Sequence, residues 1–149
     1  MKIAISCDHG GFSLKGEIIG VAESMGHDVA DLGAHQLNAD DDYPDFARYI
    51  GQAIQHGQVD RGIIICGSGV GSCVAANKIK GVRAGLCHDT YSAAQSVEHD
   101  DVNVLCLGAR VVGPAVAGEL VKAFLNAKFS GAPRHVRRLE KVIAIEAGG

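Results

Sequence analysis

Five short runs rich in β-branched and other apolar residues punctuate the chain, and segments of helical period separate them. The runs are KIAISC (2–7), DVADLG (28–33), RGIIICG (61–67), VRAGLCH (82–88) and NVLCLG (103–108). In the first interval Leu14, Ile18, Ile19, Ala22 and Met25 recur at helical spacing, and Gly26 stops the helix. Further helices are expected from about Asp45 to His56, from the glycine loop after the third run to about Lys80, and over 90–99, 114–127 and about 134–147. Pro114 suits a first helical turn. Runs this far apart cannot be joined as hairpins, so right-handed crossovers and a parallel sheet follow.

The expected fold is α/β: a three-layer, doubly wound, Rossmann/flavodoxin-like five-stranded parallel sheet flanked by helices, one domain over residues 1–149. A chain of 149 residues with 47% apolar and 21% charged composition can bury a core without staples. Its net charge of −3 gives no basis for binding nucleic acid or an anionic membrane. The opening MKIAIS is not a secretory leader, and no apolar run has the length of a membrane span, so a cytoplasmic protein is expected. Five cysteines without a CxxC read as reduced thiols. Cys7, Cys73, Cys87 and Cys106 are expected to be ordinary small packing residues.

In such sheets a ligand sits beyond the carboxyl ends of the strands. The loops expected there are CDHGG, the loop holding Tyr43, CGSGVGS, CHDT and GARVVG. Gly67, Gly69 and Gly71 can bring backbone N–H groups onto an anion or a developing oxyanion. Neither a Walker A loop nor GxGxxG fits, since Gly67, Gly69 and Ser72 give GxGxxS. Cys66 ends the buried third run against these N–H groups and a helix start, a setting that favours a thiolate acting as nucleophile or base. Ser68 offers a hydroxyl for proton transfer. Asp8 with His9, and His99 with Asp100, are acid–base candidates expected on the same edge as Cys66. A zinc site has no compact ligand spacing to support it. In the last helix Arg134 and Arg138 share a face and can clamp a phosphate, with Arg110 completing the site. Val136, Leu139, Val142 and Ile143 should face the core. Two other readings are an FMN or nucleotide binder without catalysis, and a redox protein using Cys66 and Cys73.

CDHGGF, DYPDFA, IICGSGVGSCVAANKIKGVRAGLC, EHDDVNVLCLGARVVG and RHVRRLEKVIAIE, in one collinear order, resemble the type B ribose-5-phosphate isomerases. That family also holds allose-6-phosphate and galactose-6-phosphate isomerases. The resemblance implies an aldose–ketose isomerase interconverting D-ribose 5-phosphate and D-ribulose 5-phosphate, or a related tetrose or hexose phosphate such as allose 6-phosphate. It implies that Cys66 is the base moving a proton between C1 and C2, with Ser68 assisting among the oxygens. The N–H groups of Gly67, Ser68, Gly69, Val70 and Gly71 would stabilise a cis-enediolate. Asp8 and His99 would open the sugar ring. His9, Arg110, Arg134 and Arg138 match phosphate positions, and Tyr43 a pocket position. The resemblance further implies no metal, no organic cofactor, and a homodimer or homotetramer with sites shared between subunits. One departure is Asp100, where the family usually has asparagine. A carboxylate beside an enediolate would be repulsive, so Asp100 is expected to turn away, to be protonated, or to serve a differently substituted sugar.

Overall fold

The computed structural model covers Met1–Gly149. Five strands, β1 (Lys2–Cys7), β2 (Asp28–Asp31), β3 (Arg61–Cys66), β4 (Ala84–Leu86) and β5 (Val104–Gly108), form one parallel sheet in the order β2-β1-β3-β5-β4. Six helices accompany them: α1 (Phe12–Ser24), α2 (Tyr43–Gln55), α3 (Val70–Ala76), α4 (Thr90–Asp100), α5 (Pro114–Asn126) and α6 (Pro133–Glu146).

The run RGIIIC becomes the central strand because both of its faces are covered. Ile63 and Ile65 join Ile3, Ile5, Leu105 and Leu107 in a core of 21 buried residues beneath α1, α4 and α5. Ile64 points the other way, into a smaller core of 8 with Ala4, Ala47, Ile50 and Cys106 beneath α2 and α3. Period-2 alternation makes one strand serve two cores. Each fully buried isoleucine contributes about 1.5–3 kcal/mol to that arrangement. Register sets Cys66 beside Gly108 and Cys7 beside Ile65, so three strand ends open at one place.

Several boundaries differ from the sequence expectation. β2 stops at Asp31, because that carboxylate turns the chain by accepting the Gly33 N–H at 2.9 Å and the buried Lys15 Nζ at 2.8 Å. The second helix begins at Tyr43, ahead of Asp45, with Pro44 inside its first turn. α3 ends at Ala76, short of Lys80. The Asn77 side chain acts there like a strand neighbour, accepting from Ala84 N at 2.8 Å and donating to Ala84 O at 2.9 Å. β4 is only three residues long. On α6, Val142 and Ile143 are not core residues: they are 50% and 47% exposed, and Ile145 is 71% exposed. The helix packs its start on α4 and its end reaches Gly81 N through Glu146 at 2.8 Å, leaving this apolar face uncovered in one chain.

Candidate active site

A cleft of about 410 Å³ lies at the carboxyl ends of β1, β3 and β5. Asp8, His9, Tyr43, Cys66, Ser68 and Arg110 line it, with Gly10, Gly67, Gly71 and Val111. The turn from β3 into α3 depends on Gly69, whose φ is +81°, a left-handed conformation that costs other residues energy. Gly71 is needed for a different reason. A Cβ there would lie 2.7 Å from Tyr43 Cζ, so the absent side chain lets the ring rest on the loop.

The Cys66 thiol is 4% exposed and already held. Its Sγ accepts the Gly69 N–H at 3.0 Å and lies 3.2 Å from Ser72 Oγ. Ser72 Oγ also donates to Gly69 O at 3.1 Å. Ser68, expected to transfer a proton, accepts the Val70 N–H at 3.2 Å on the exposed rim. The N–H groups of Gly69 and Val70 are therefore engaged inside the loop, while those of Gly67 and Ser68 have no acceptor in the chain.

Across the cleft, Asp41 Oδ1 takes both the His9 backbone N–H at 2.9 Å and the ring Nδ1 at 2.6 Å. That side-chain bond is the main cause raising the pKa of His9 above its ordinary value, and burial opposes it. Asp8 is buried and its Oδ1 accepts the Gly11 N–H at 3.2 Å. The ligand atoms of Asp8, His9 and Asp41 lie within 4.8 Å of one another, close enough to hold a cation, but the His9 Nδ1 is hydrogen-bonded to Asp41. On the β5 side, His88 Nε2 accepts the Gly108 N–H at 2.9 Å and so braces the start of the Arg110 loop.

The remaining expected residues are elsewhere. α4 runs antiparallel to the strands, so His99 and Asp100 at its end lie at the amino edge of the sheet, opposite Cys66. This corrects the expectation of a common edge: a residue just before a parallel strand lies at that strand's start. His99 stacks on His135 of α6 with ring centroids 4.1 Å apart, and its Nδ1 is 2.9 Å from Gln95 Nε2. Burial lowers the pKa of His135, and the charges of His99, Arg134 and Arg138 lower it further, while Asp100 opposes them. Arg134 and Arg138 thus belong to a cationic cluster on the amino edge and do not line the Cys66 cleft.

All five cysteines are free thiols. Burial pushes the Cys7 thiol up to about 11 and also raises Cys87. Cys73 is half-buried with its thiol 3.6 Å from Ala84 O, and the nearness of Cys106 lowers the Cys73 pKa while that of Cys106 is pushed well up.

Ser72, Asp41 and His88 were missed in the sequence. Ser72 follows Gly69 by one helical turn, a spacing that could have pointed to it. Asp41 sits in an acidic run, ADDDYP, which carries no signal of its own.

Residues 3–142 match the family model described as Ribose/Galactose Isomerase. Ribose-5-phosphate isomerase B of Escherichia coli is 46% identical over 145 residues, which cover 97% of this chain and 96% of that protein. D-erythrulose-4-phosphate isomerase of Pectobacterium atrosepticum is 40% identical over 131 residues, covering 88% and 86% respectively. Among solved structures, Mycoplasma genitalium ribose-5-phosphate isomerase B with bound ribulose-5-phosphate superimposes with a TM-score of 0.92 at 42% identity, covering 99% of this chain and 97% of that one.

Proposed function

The chain belongs to the ribose/galactose isomerase family, and from that premise we propose that it is an aldose–ketose isomerase interconverting D-ribose 5-phosphate and D-ribulose 5-phosphate. The observation that carries this reading is the cleft itself, which sets the Cys66 thiol against free loop N–H groups with His9 and Arg110 at its wall.

Cys66 as thiolate removes the proton from C2 of the open-chain aldose. The C–H electron pair moves into the carbonyl system to give an enediolate, and the sulfur returns the proton to C1. Ser68 transfers a proton between O1 and O2, at the exposed rim where a substrate oxygen can reach it. The free N–H groups of Gly67 and Ser68 stabilise the negative charge as it develops. Asp8 serves ring opening. Tyr43 walls the pocket, and His9 and Arg110 bind phosphate, whose binding energy orients the reacting carbons. No metal or organic cofactor is required, as the family resemblance implies.

His99, Arg134 and Arg138 complete the site from a second copy, in a homodimer or homotetramer. Their place on the opposite edge supports this, as does the exposed apolar surface of Val70, Val74, Tyr91, Val142 and Ile145. Asp100 travels with the cationic cluster, which offsets its charge. The whole chain acts as one domain in the reducing cytoplasm, a setting its five free thiols fit. No helix is long and apolar enough to cross a membrane.

Mixing the protein with ribose 5-phosphate should yield ketose, and Cys66→Ala should yield none. A Cys66→Ala variant with full activity would overturn the assignment. A shorter tetrose phosphate is the second reading, favoured by the D-erythrulose-4-phosphate isomerase relative. Turnover of D-erythrulose 4-phosphate in preference to the pentose phosphates would select it.

A further inference from the structure

The scheme above leaves one group at the reacting sulfur unused. Ser72 is fully buried, and its hydroxyl is the only side chain hydrogen-bonded to Cys66. Its two acceptors within hydrogen-bond distance are Cys66 Sγ at 3.2 Å and Gly69 O at 3.1 Å, with the buried Cys106 thiol on a further side. A hydroxyl closed off from water must give its proton to one of them, because a buried donor left unpaired is costly. The same Gly69 supplies its N–H to the sulfur at 3.0 Å. Sulfur, hydroxyl and peptide unit therefore form one closed unit beneath the cleft.

We propose that Ser72 is a positioning residue for Cys66, turning its hydroxyl proton between the sulfur and the Gly69 carbonyl as the thiol takes and returns the substrate proton. While Cys66 is a thiolate, the Ser72 O–H and the Gly69 N–H both point at Sγ and stabilise its charge. Two donors on the side away from the cleft also hold the sulfur in one rotamer. When the C–H bond breaks and Sγ gains that proton, the charge moves onto the sugar oxygens. The Ser72 O–H then turns to Gly69 O, and the new S–H stays free to face the substrate. No proton leaves Ser72, so the cycle closes when the sulfur gives its proton to the neighbouring carbon. Ser68 cannot do this work from the rim, where its oxygen is engaged by Val70 N–H at 3.2 Å. Deletion of Ser72 removes one hydrogen bond to an ionised sulfur and should leave the phosphate end of the cleft untouched.

This rests on Cys66 being the base, and the test separates the two ideas. The rate of Cys66 alkylation by iodoacetamide at pH 7 reports thiolate stabilisation without any sugar. Cys66 and Cys73 fall on the same tryptic peptide, Gly62–Lys78, so fragment-ion mass spectrometry must assign the label. Ser72→Ala should slow Cys66 alkylation about tenfold and lower kcat by a similar factor, with KM for ribose 5-phosphate within about twofold of wild type. If Ser72→Ala does not fold, Ser72→Thr and Ser72→Val form a pair of equal shape in which only threonine keeps the hydroxyl. Threonine fast and valine slow, in both assays, supports the role. Equal alkylation rates in the two, or an alanine variant within twofold of wild type in alkylation and kcat, overturns it. If the wild type forms no ketose, the isomerase reading fails while the alkylation contrast still decides Ser72.

Discussion

At the carboxyl edge of the sheet the Cys66 sulfur is 4% exposed and has two hydrogen-bond partners, whereas at the amino edge Arg134 and Arg138 are exposed and form no ion pair within the chain. The first region is finished: its loop is closed, its thiol fixed, its histidine oriented by Asp41. The second gathers positive charge around a buried His135 and spends none of it. Within the cluster Asp100 is the one opposing charge, and like charges held close together otherwise cost free energy that a bound anion would offset. The contrast separates an enclosed, hydrogen-bonded thiol from an exposed group of cations, the two parts that the proposed reaction would bring together. One copy holds all the expected residues but keeps them on two opposite edges of the sheet.

Removal of the sulfur should break the first region outright. Cys66→Ala is expected to lower kcat by about a thousandfold or more while the thermal unfolding midpoint stays within a few degrees, as measured by a coupled ketose assay and circular dichroism. A kcat within tenfold of wild type would remove Cys66 from the role of base. The second region should fail differently. Arg134→Ala with Arg138→Ala should raise KM for ribose 5-phosphate about 10–100-fold and change kcat far less, since in the proposed site each arginine would supply a charged hydrogen bond to phosphate. A loss confined to kcat would place these arginines nearer the reacting carbons.

Smaller effects sharpen the picture. Gly71→Ala would set a methyl 2.7 Å from the Tyr43 ring. Tyr43 is 41% exposed and can swing outward, so KM should rise about fivefold with little loss of stability. An unchanged KM would take Tyr43 out of the pocket wall. The smallest effect concerns His9. Its pKa is raised, mainly by the bond to Asp41, so the imidazolium persists above its ordinary value of 6.5. Its contribution to folding, and to the proposed phosphate binding, is complete below that value and fades as pH rises through the raised one. Asp41→Asn should draw this fade down toward pH 6.5 and raise KM about threefold at pH 7.5. A KM–pH profile that does not move in this variant would leave Asp41 a purely structural neighbour.

The sheet was legible because β1, β3 and β5 are short and rich in apolar residues, and Cys66 stood out as the residue that ends the unbroken run Ile63–Ile65. Asp8, His9 and Arg110 followed from the rule that ligands meet strand carboxyl ends. Short elements were less legible: β2 and α3 are ended by side chains, Asp31 and Asn77, whose reach depends on the folded backbone. The placement of His99 failed for a topological reason. EHDDVNV touches strand five in sequence, but at its start, and the distance from there to Cys66 is the length of the sheet. Ser72 and Asp41 act through contacts created by a left-handed glycine and a folded acidic loop, which residue type alone does not announce.

The central claim is that the two edges meet across copies of the chain, and subunit mixing tests it most directly. Cys66→Ala and His99→Ala proteins, each inactive alone, are unfolded together in equal amounts and refolded. In a two-fold dimer with shared sites, half of the refolded dimers are mixed, and each mixed dimer regains one intact site of two. Ketose formation should therefore return to roughly a quarter of the wild-type rate. A mixture as inactive as its components would show that Cys66 and His99 serve within one chain, or not together at all.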